Sequence, residues 1–185
     1  MTSETTNAMG EILIPAWVDG VLTPVEKLDA HRRGLRHKAV SVFLLSGDRL
    51  LIQQRAAGKY HTPGLWANTC CTHPHWNEAP AACAHRRLDD ELGITGVALA
   101  RREAIEYRAE VGPDLIEHEV AEVFVGHVDD GLAIRPNPDE VQATRWIPLS
   151  RLMEEIGSTP DLFTPWIRIY MQEHHERIFG ETDTA

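Results

Sequence analysis

The sequence predicts an α+β domain, and three observations carry that prediction. Residues 38–55 show a β-branched and apolar hairpin pattern, residues 78–92 a bounded helical pattern, and the C-terminal half a run of strand patterns closed by a last helix. A chain of 185 residues with 43% apolar side chains can bury one core. The reading is therefore a single domain over residues 11–180, preceded by a small, polar and disordered tail, Met1 to Gly10.

Taken in order, Glu11 to Val18 (EILIPAWV) reads as a first short strand, and Pro15, which lacks an N–H, places it at a sheet edge. Pro24 to Lys38 mixes two histidines with five Lys or Arg residues and a glycine without lasting periodicity, so it reads as a loop over the core. Lys38 to Leu45, the turn cluster Ser46-Gly47-Asp48 and Arg49 to Arg55 form a hairpin. The breaker pair Pro63-Gly64 makes Ala56 to Trp66 a loop.

Asn77 as N-cap, Pro80 in the first turn and Gly93 just past the end delimit a helix from Glu78 to Leu92. Ala81, Ala84, Leu88 and Leu92 share one face of it. Arg87 and Glu91, four apart, share another, which suits a pocket or equally an ordinary surface salt bridge. Val97 to Tyr107 is apolar-rich without a clear period, and Gly112-Pro113-Asp114 is a turn. Leu115 to Val128 is a strand with Glu117 and Glu119 on one face and His118 on the other. Two such neighbouring carboxylates repel unless something cationic stands between them. After a loop at Asn137 to Glu140 comes a strand, Ala143 to Leu149. A short helix follows from about Ser150 to Gly157, Pro160 breaks the chain, and a last helix runs from about Thr164 to Phe179 with Pro165 in its first turn.

Composition excludes several function classes. A formal charge of −10 disfavours nucleic acid, whose binding rests on Lys and Arg neutralising phosphates. No apolar run approaches the roughly 20 residues that span a bilayer, and Met1 to Gly10 has neither a basic nor an apolar leader region. Three cysteines, two of them adjacent, make a poor disulfide framework and suit a reducing compartment, so the expected location is the cytoplasm.

Reactive chemistry concentrates in Leu65 to Gly93, LWANTCCTHPHWNEAPAACAHRRLDDELG. From Glu78 onward this run resembles the Nudix box, G-x5-E-x7-R-E-U-x-E-E-x-G-U, with Arg86-Arg87-Leu88-Asp89-Asp90-Glu91-Leu92-Gly93-Ile94 filling its second half. The resemblance implies a Nudix-like fold, a mixed sheet flanked by helices. Two positions depart: Thr72 stands at the first Gly, and Arg87 replaces the first helix Glu, a metal ligand in Nudix hydrolases. The second departure argues against ordinary diphosphate hydrolysis.

Four further segments narrow the reading: Asn68-Thr69-Cys70-Cys71-Thr72-His73-Pro74, Tyr107-Arg108-Ala109, Glu117-His118-Glu119-Val120 and Phe163-Thr164-Pro165-Trp166. Together they resemble the type I isopentenyl-diphosphate delta-isomerases, from about Glu26 to Trp166. That resemblance implies interconversion of isopentenyl and dimethylallyl diphosphate through a tertiary carbocation. It implies Cys71 and Glu119 as the acid–base pair flanking the substrate, Tyr107 as a hydrogen-bond partner of Glu119, and Trp166 as an aromatic wall for the cation. It also implies a divalent ion, Mn2+, Zn2+ or Mg2+, held by His31, His37, His73, Glu117 and Glu119, and a Mg2+ that arrives with the diphosphate and meets Glu91. Lys27, Arg55, Lys59 and Arg87 match the diphosphate-binding cations, so Arg87 becomes a phosphate anchor. The implied partner is a small prenyl diphosphate, with neither nucleic acid nor membrane, and the oligomeric state stays open. Two other readings compete: a Nudix hydrolase of nucleoside or prenyl diphosphates, and a binding domain in which the His and Glu residues merely hold a structural ion.

The adjacent thiols are separated by alternation. In extended chain Cys71 shares a side with His73 and Cys70 points the other way, which makes Cys70 a packing group and Cys71 the reactive one. Bound cations nearby are expected to make Cys71 more acidic than a free thiol. Cys83 reads as an apolar helix contact, and His75, His85, His118, His127, His174 and His175 carry no assigned role.

Overall fold

A computed structural model describes Thr6 and residues 11–180. The predicted tail falls outside the described residues except for Thr6, which bridges to Ile12. The elements are β1 (Leu13–Val18), β2 (Val21–Glu26), α1 (Lys27–Arg32), β3 (His37–Ser46), β4 (Arg49–Arg55), β5 (Trp66–Ala67), β6 (Cys70–Thr72), α2 (Pro80–Leu92), β7 (Ala100–Arg101), β8 (Ile105–Gly112), β9 (Leu115–His127), β10 (Val141–Pro148), α3 (Leu149–Ser158), α4 (Pro165–Glu173) and α5 (His175–Phe179). The strands join in one mixed sheet with helices around it, an α+β arrangement.

The sheet is organised on β3, whose continuous apolar run is buried on both faces, as a parallel strand requires. Along one edge β3 runs parallel to β9, from His37 opposite Glu119 to Leu45 opposite His127. Its other edge is divided among β1 at His37, β6 at Val40 to Val42 and β4 at Leu45 and Ser46. β8 pairs antiparallel with the far side of β9, and β10 with β4. Side-chain alternation then gives two cores. Ala39, Phe43, Tyr107, Val123 and the α4 residues Ile167 and Tyr170 pack on one face. Val42, Leu44 and Cys70 meet Cys83, Ala84, Leu88 and Leu92 of α2 on the other.

Several boundaries differ from the sequence expectation. The stretch read as a loop, Pro24 to Lys38, contains the end of β2, all of α1 and the start of β3. A six-residue helix is too short to show a period, and it forms because Glu26 caps it, accepting from the N–H groups of Leu28 and Asp29 at 2.7 Å each. β1 is not an edge strand, since β2 takes the outside position. Pro15 is tolerated because it stands opposite Pro24, a pair that exchanges no hydrogen bonds, and because β1 meets β3 only at Ala16.

α2 starts at Pro80 with Ala79, not Asn77, at the N-cap, and Ala81 is exposed. Its entry is tied instead by Glu78, whose carboxylate accepts from Arg86 Nε and Nη2 at 2.7 Å each and from the His75 N–H at 2.8 Å. Gly93 ends the helix in the left-handed region (φ 62°), where an added Cβ would come within 2.9 Å of Arg135. Val97 to Tyr107 resolves into β7 and the first residues of β8. The last helix is two, because His174 leaves the helical region and α5 folds Ile178 back into the core.

Candidate active site

Strand register, more than loop placement, assembles the site. His37 pairs with Glu119 across β3 and β9, Glu119 pairs with Tyr107 across β9 and β8, and Ser41 pairs with Cys71 across β3 and β6. His31 comes from the last turn of α1 and His73 from the residue after β6, which completes a buried cluster of His31, His37, His73, Glu117 and Glu119.

Proton positions decide what this cluster can hold. His31 Nδ1 lies 2.5 Å from the Lys27 carbonyl and His37 Nδ1 2.7 Å from the Leu35 carbonyl. A carbonyl only accepts, so both rings carry a proton on Nδ1 and, when neutral, turn a bare Nε2 inward. His31 Nε2 sits 3.0 Å from Glu117 Oε2 without a hydrogen bond, and His37 Nε2 lies 3.2 Å from His73 Nε2 and 3.3 Å from Glu117 Oε2. The donor atoms of His31, His37, His73 and Glu117 all fall within 4.8 Å of one another. Lone pairs facing each other in a dry space repel, and a divalent cation satisfies all of them at once. Imidazoles anchored through Nδ1–H to backbone carbonyls are also how metal-ligating histidines are oriented. The residues fit the ion the sequence anticipates. Glu119 stands one step away, its Oε1 3.0 Å from His73 Nε2.

Burial and then the neighbouring charge of Glu117 push Glu119 well above the usual carboxylate range. Tyr107 donates to Glu119 Oε2 at 2.6 Å. Cys71 Sγ faces the same oxygen at 4.0 Å and lies 3.3 Å from Ser41 Oγ, which is 2.8 Å from Tyr170 Oη. Among the protein's own groups, burial, reinforced by Glu119, pushes Cys71 well above its ordinary value. Cys70 points into the α2 core, as alternation predicts.

The pocket continues to a basic end lined by Lys27, Arg55, Lys59 and Arg87, with Trp166 on the wall. Arg87 and Glu91 are no surface pair: Glu91 is 5% exposed, takes Arg87 Nη2 at 2.6 Å, and accepts from Gln53 Nε2 at 2.7 Å. Glu91 is separate from the four-donor cluster. Glu140 binds both Lys59 and Arg87, the latter at 3.2 Å. The buried Nε atoms of Arg55 and Arg87 have no hydrogen-bond partner, and two orphaned guanidinium donors beside Lys27 are what an anion would satisfy.

Sequence reasoning missed His61, Gln53, Glu140, Ser41 and Tyr170. Each reaches the site across a large sequence separation, and none sits in a local pattern that marks it.

The NUDIX domain family matches residues 35–167. An isopentenyl-diphosphate Delta-isomerase from a Cereibacter sphaeroides strain is 60% identical over 169 residues, 91% of this chain and 96% of that protein. One from Roseobacter denitrificans is 60% identical over 170 residues, 92% and 97% of the two chains. This chain belongs to the isopentenyl-diphosphate Delta-isomerase family. A family member from Jannaschia sp. is 56% identical over 174 residues, covering 94% of this chain and 99% of its own length. Among solved structures, one from Deinococcus radiodurans superposes with a TM-score of 0.70 at 13% identity, over 90% of this chain and 98% of that one. A MutT protein from Methanosarcina mazei gives 0.59 at 16% identity, over 74% and 90%. At those identities the two structures establish the fold that this isomerase family member shares, and nothing of its chemistry. Among the described residues no helix is long and apolar enough to cross a membrane.

Proposed function

We propose that the protein interconverts isopentenyl diphosphate and dimethylallyl diphosphate by moving one proton onto the alkene and removing another, with no net oxidation. Protonation of the terminal CH2 of isopentenyl diphosphate places a tertiary cation on the adjoining carbon, and loss of a proton from the CH2 next to it forms the new double bond. The observation that carries this reading is the facing of Cys71 Sγ and Glu119 Oε2 at 4.0 Å in a pocket that ends in Lys27, Arg55, Lys59 and Arg87.

Cys71 and Glu119 are the acid–base pair: one gives its proton to the terminal CH2, and the other, unprotonated, takes the proton lost from the CH2 on the other side of the cation. An alkene needs more room than 4.0 Å between donor and acceptor, so substrate entry parts them. Tyr107, bonded to Glu119, keeps that carboxyl oriented. Trp166, 2% exposed, offers an aromatic surface that stabilises positive charge most when water is excluded. The four cations bind the diphosphate and so place the alkene.

His31, His37, His73 and Glu117 would hold Mn2+, Zn2+ or Mg2+, with Glu119 at its edge, and Glu91 would meet a Mg2+ bound to the diphosphate. These ions supply fixed positive charge beside Glu117 and Glu119 and neutralise the diphosphate. Free cysteines and the lack of a spanning helix among the described residues support a cytoplasmic location.

The test is proton and phosphorus NMR of the ion-loaded protein with isopentenyl diphosphate and Mg2+ in deuterated water. The expected result is an allylic product carrying deuterium with the diphosphate intact. Phosphate release with an unshifted double bond would overturn the proposal in favour of hydrolysis.

A further inference from the structure

The two oxygens of Glu117 face different partners. Oε2 points into the His31, His37 and His73 cluster, at 3.0, 3.3 and 3.6 Å from their Nε2 atoms. Oε1 is met by a fourth imidazole, His61, whose Nε2 lies 3.1 Å away. His61 comes from the loop between β4 and β5 and is 5% exposed. Its other nitrogen, Nδ1, is 3.1 Å from the Thr62 hydroxyl. When that hydroxyl donates to Nδ1, the neutral ring carries its single proton on Nε2, the nitrogen that faces Glu117 Oε1.

Three further observations show that the loop is held in this arrangement. Thr62 has φ 46°, a left-handed conformation that a β-branched residue adopts only when its surroundings impose it. The His61 carbonyl accepts from Arg55 Nη2 at 3.2 Å, which ties the same residue to the diphosphate end of the pocket. The His61 ring also packs edge-on against Trp166, with centroids 5.7 Å apart at 90°. One side chain therefore touches the cluster's central carboxylate and the aromatic wall, and its backbone touches a phosphate-binding arginine.

We propose that His61 is a positioning residue: it donates to Glu117 Oε1, so that Glu117 offers Oε2 alone to the ion, and it holds Trp166 in register with that ion. The proposal rests on the reading of His31, His37, His73 and Glu117 as an ion site. His61 itself lies outside the group of converging donor atoms. It acts through Glu117 and Trp166, in the way that hydrogen-bonded outer partners orient metal ligands and typically change ion affinity by about 10- to 100-fold.

The test compares wild type with His61→Ala and His61→Gln, each purified with its ion, and with Glu117→Gln as the variant that breaks the cluster. Ion content is measured by metal analysis, ion loss by competition with a chelator, and kcat and KM by turnover of isopentenyl diphosphate. Circular dichroism and thermal melting verify folding. We expect His61→Ala to surrender its ion at about 10- to 100-fold lower chelator concentration than wild type, with kcat reduced and KM changed less than about twofold. Glutamine, whose amide nitrogen reaches about as far as imidazole Nε2, restores most of the ion retention, a recovery that a purely space-filling role would not give. If wild type holds an ion and His61→Ala holds it as tightly, the role of His61 is overturned while the ion site stands. If folded wild type binds no ion at all, the ion-site reading falls and this proposal falls with it.

Discussion

The two ends of the pocket are built on opposite principles. At the cage, bare imidazole nitrogens and a carboxylate oxygen point at one another, and no opposite charge among the described residues lies at their centre. At the basic end two of the four cations are already paired: Lys59 and Arg87 hold Glu140, and Arg87 also holds Glu91. Converging lone pairs of the kind in the cage suit a cation between them. Among the described residues Lys27 and Arg55 form no ion pair, and the Nε atoms of Arg55 and Arg87 are without a hydrogen-bond partner, so part of the basic end is matched internally and part is open to an anion.

Breaking the cage should have the largest effect. His73→Ala, or removal of the ion by a chelator, is expected to lower isomerisation by more than about 100-fold, with ion content falling in parallel by metal analysis. Full turnover in a sample shown to be ion-free would contradict the comparison. Next comes the thiol. Cys71→Ser is expected to lose about 10²- to 10⁴-fold in kcat, the usual worth of a positioned acid or base, and Cys70→Ser to keep most of its activity. A dead Cys70→Ser beside an active Cys71→Ser would reverse the assignment.

At the basic end the effects should be smaller and should appear in binding. Arg87→Glu restores the box residue but puts a negative charge beside the diphosphate, so KM is expected to rise about 10- to 100-fold without new diphosphate hydrolysis. Glu140→Gln sharpens the contrast, because it removes an internal competitor of the substrate for Lys59 and Arg87. KM should fall by roughly threefold, the scale of a partly exposed ion pair. A large rise in KM would mean that Glu140 organises the cations more than it competes for them.

The smallest effect concerns stability alone. Burial would raise Glu78, but the Arg86 fork and the His75 N–H outweigh it, so the folded carboxyl lies below its ordinary 4.5. A depressed folded pKa contributes stability that is fully present above about pH 4.5 and is lost as pH falls through the folded value. Glu78→Gln is therefore expected to cost about 1 kcal/mol in urea denaturation at pH 7, and progressively less as the pH is lowered below 4.5. Equal destabilisation across that range would contradict an ion-pair role.

The hairpin, α2 and the Glu117/Glu119 strand are read from local period, and alternation along β6 and β9 correctly sorts Cys70 from Cys71 and Glu117 from His118. α1 escapes because one capping carboxylate, Glu26, determines it in six residues that show no period. The contacts of His61 with Glu117, of Glu140 with Lys59 and of Tyr170 with Ser41 join residues 56, 81 and 129 positions apart. Local pattern carries no trace of such pairs.

The most direct test of the central claim, that the cage is an ion site, is anomalous diffraction at the absorption edge of whichever ion metal analysis finds in the purified protein. One strong peak is expected among His31 Nε2, His37 Nε2, His73 Nε2 and Glu117 Oε2 before any diphosphate is added. A protein that carries its ion elsewhere, with that space empty of anomalous signal, would contradict that claim.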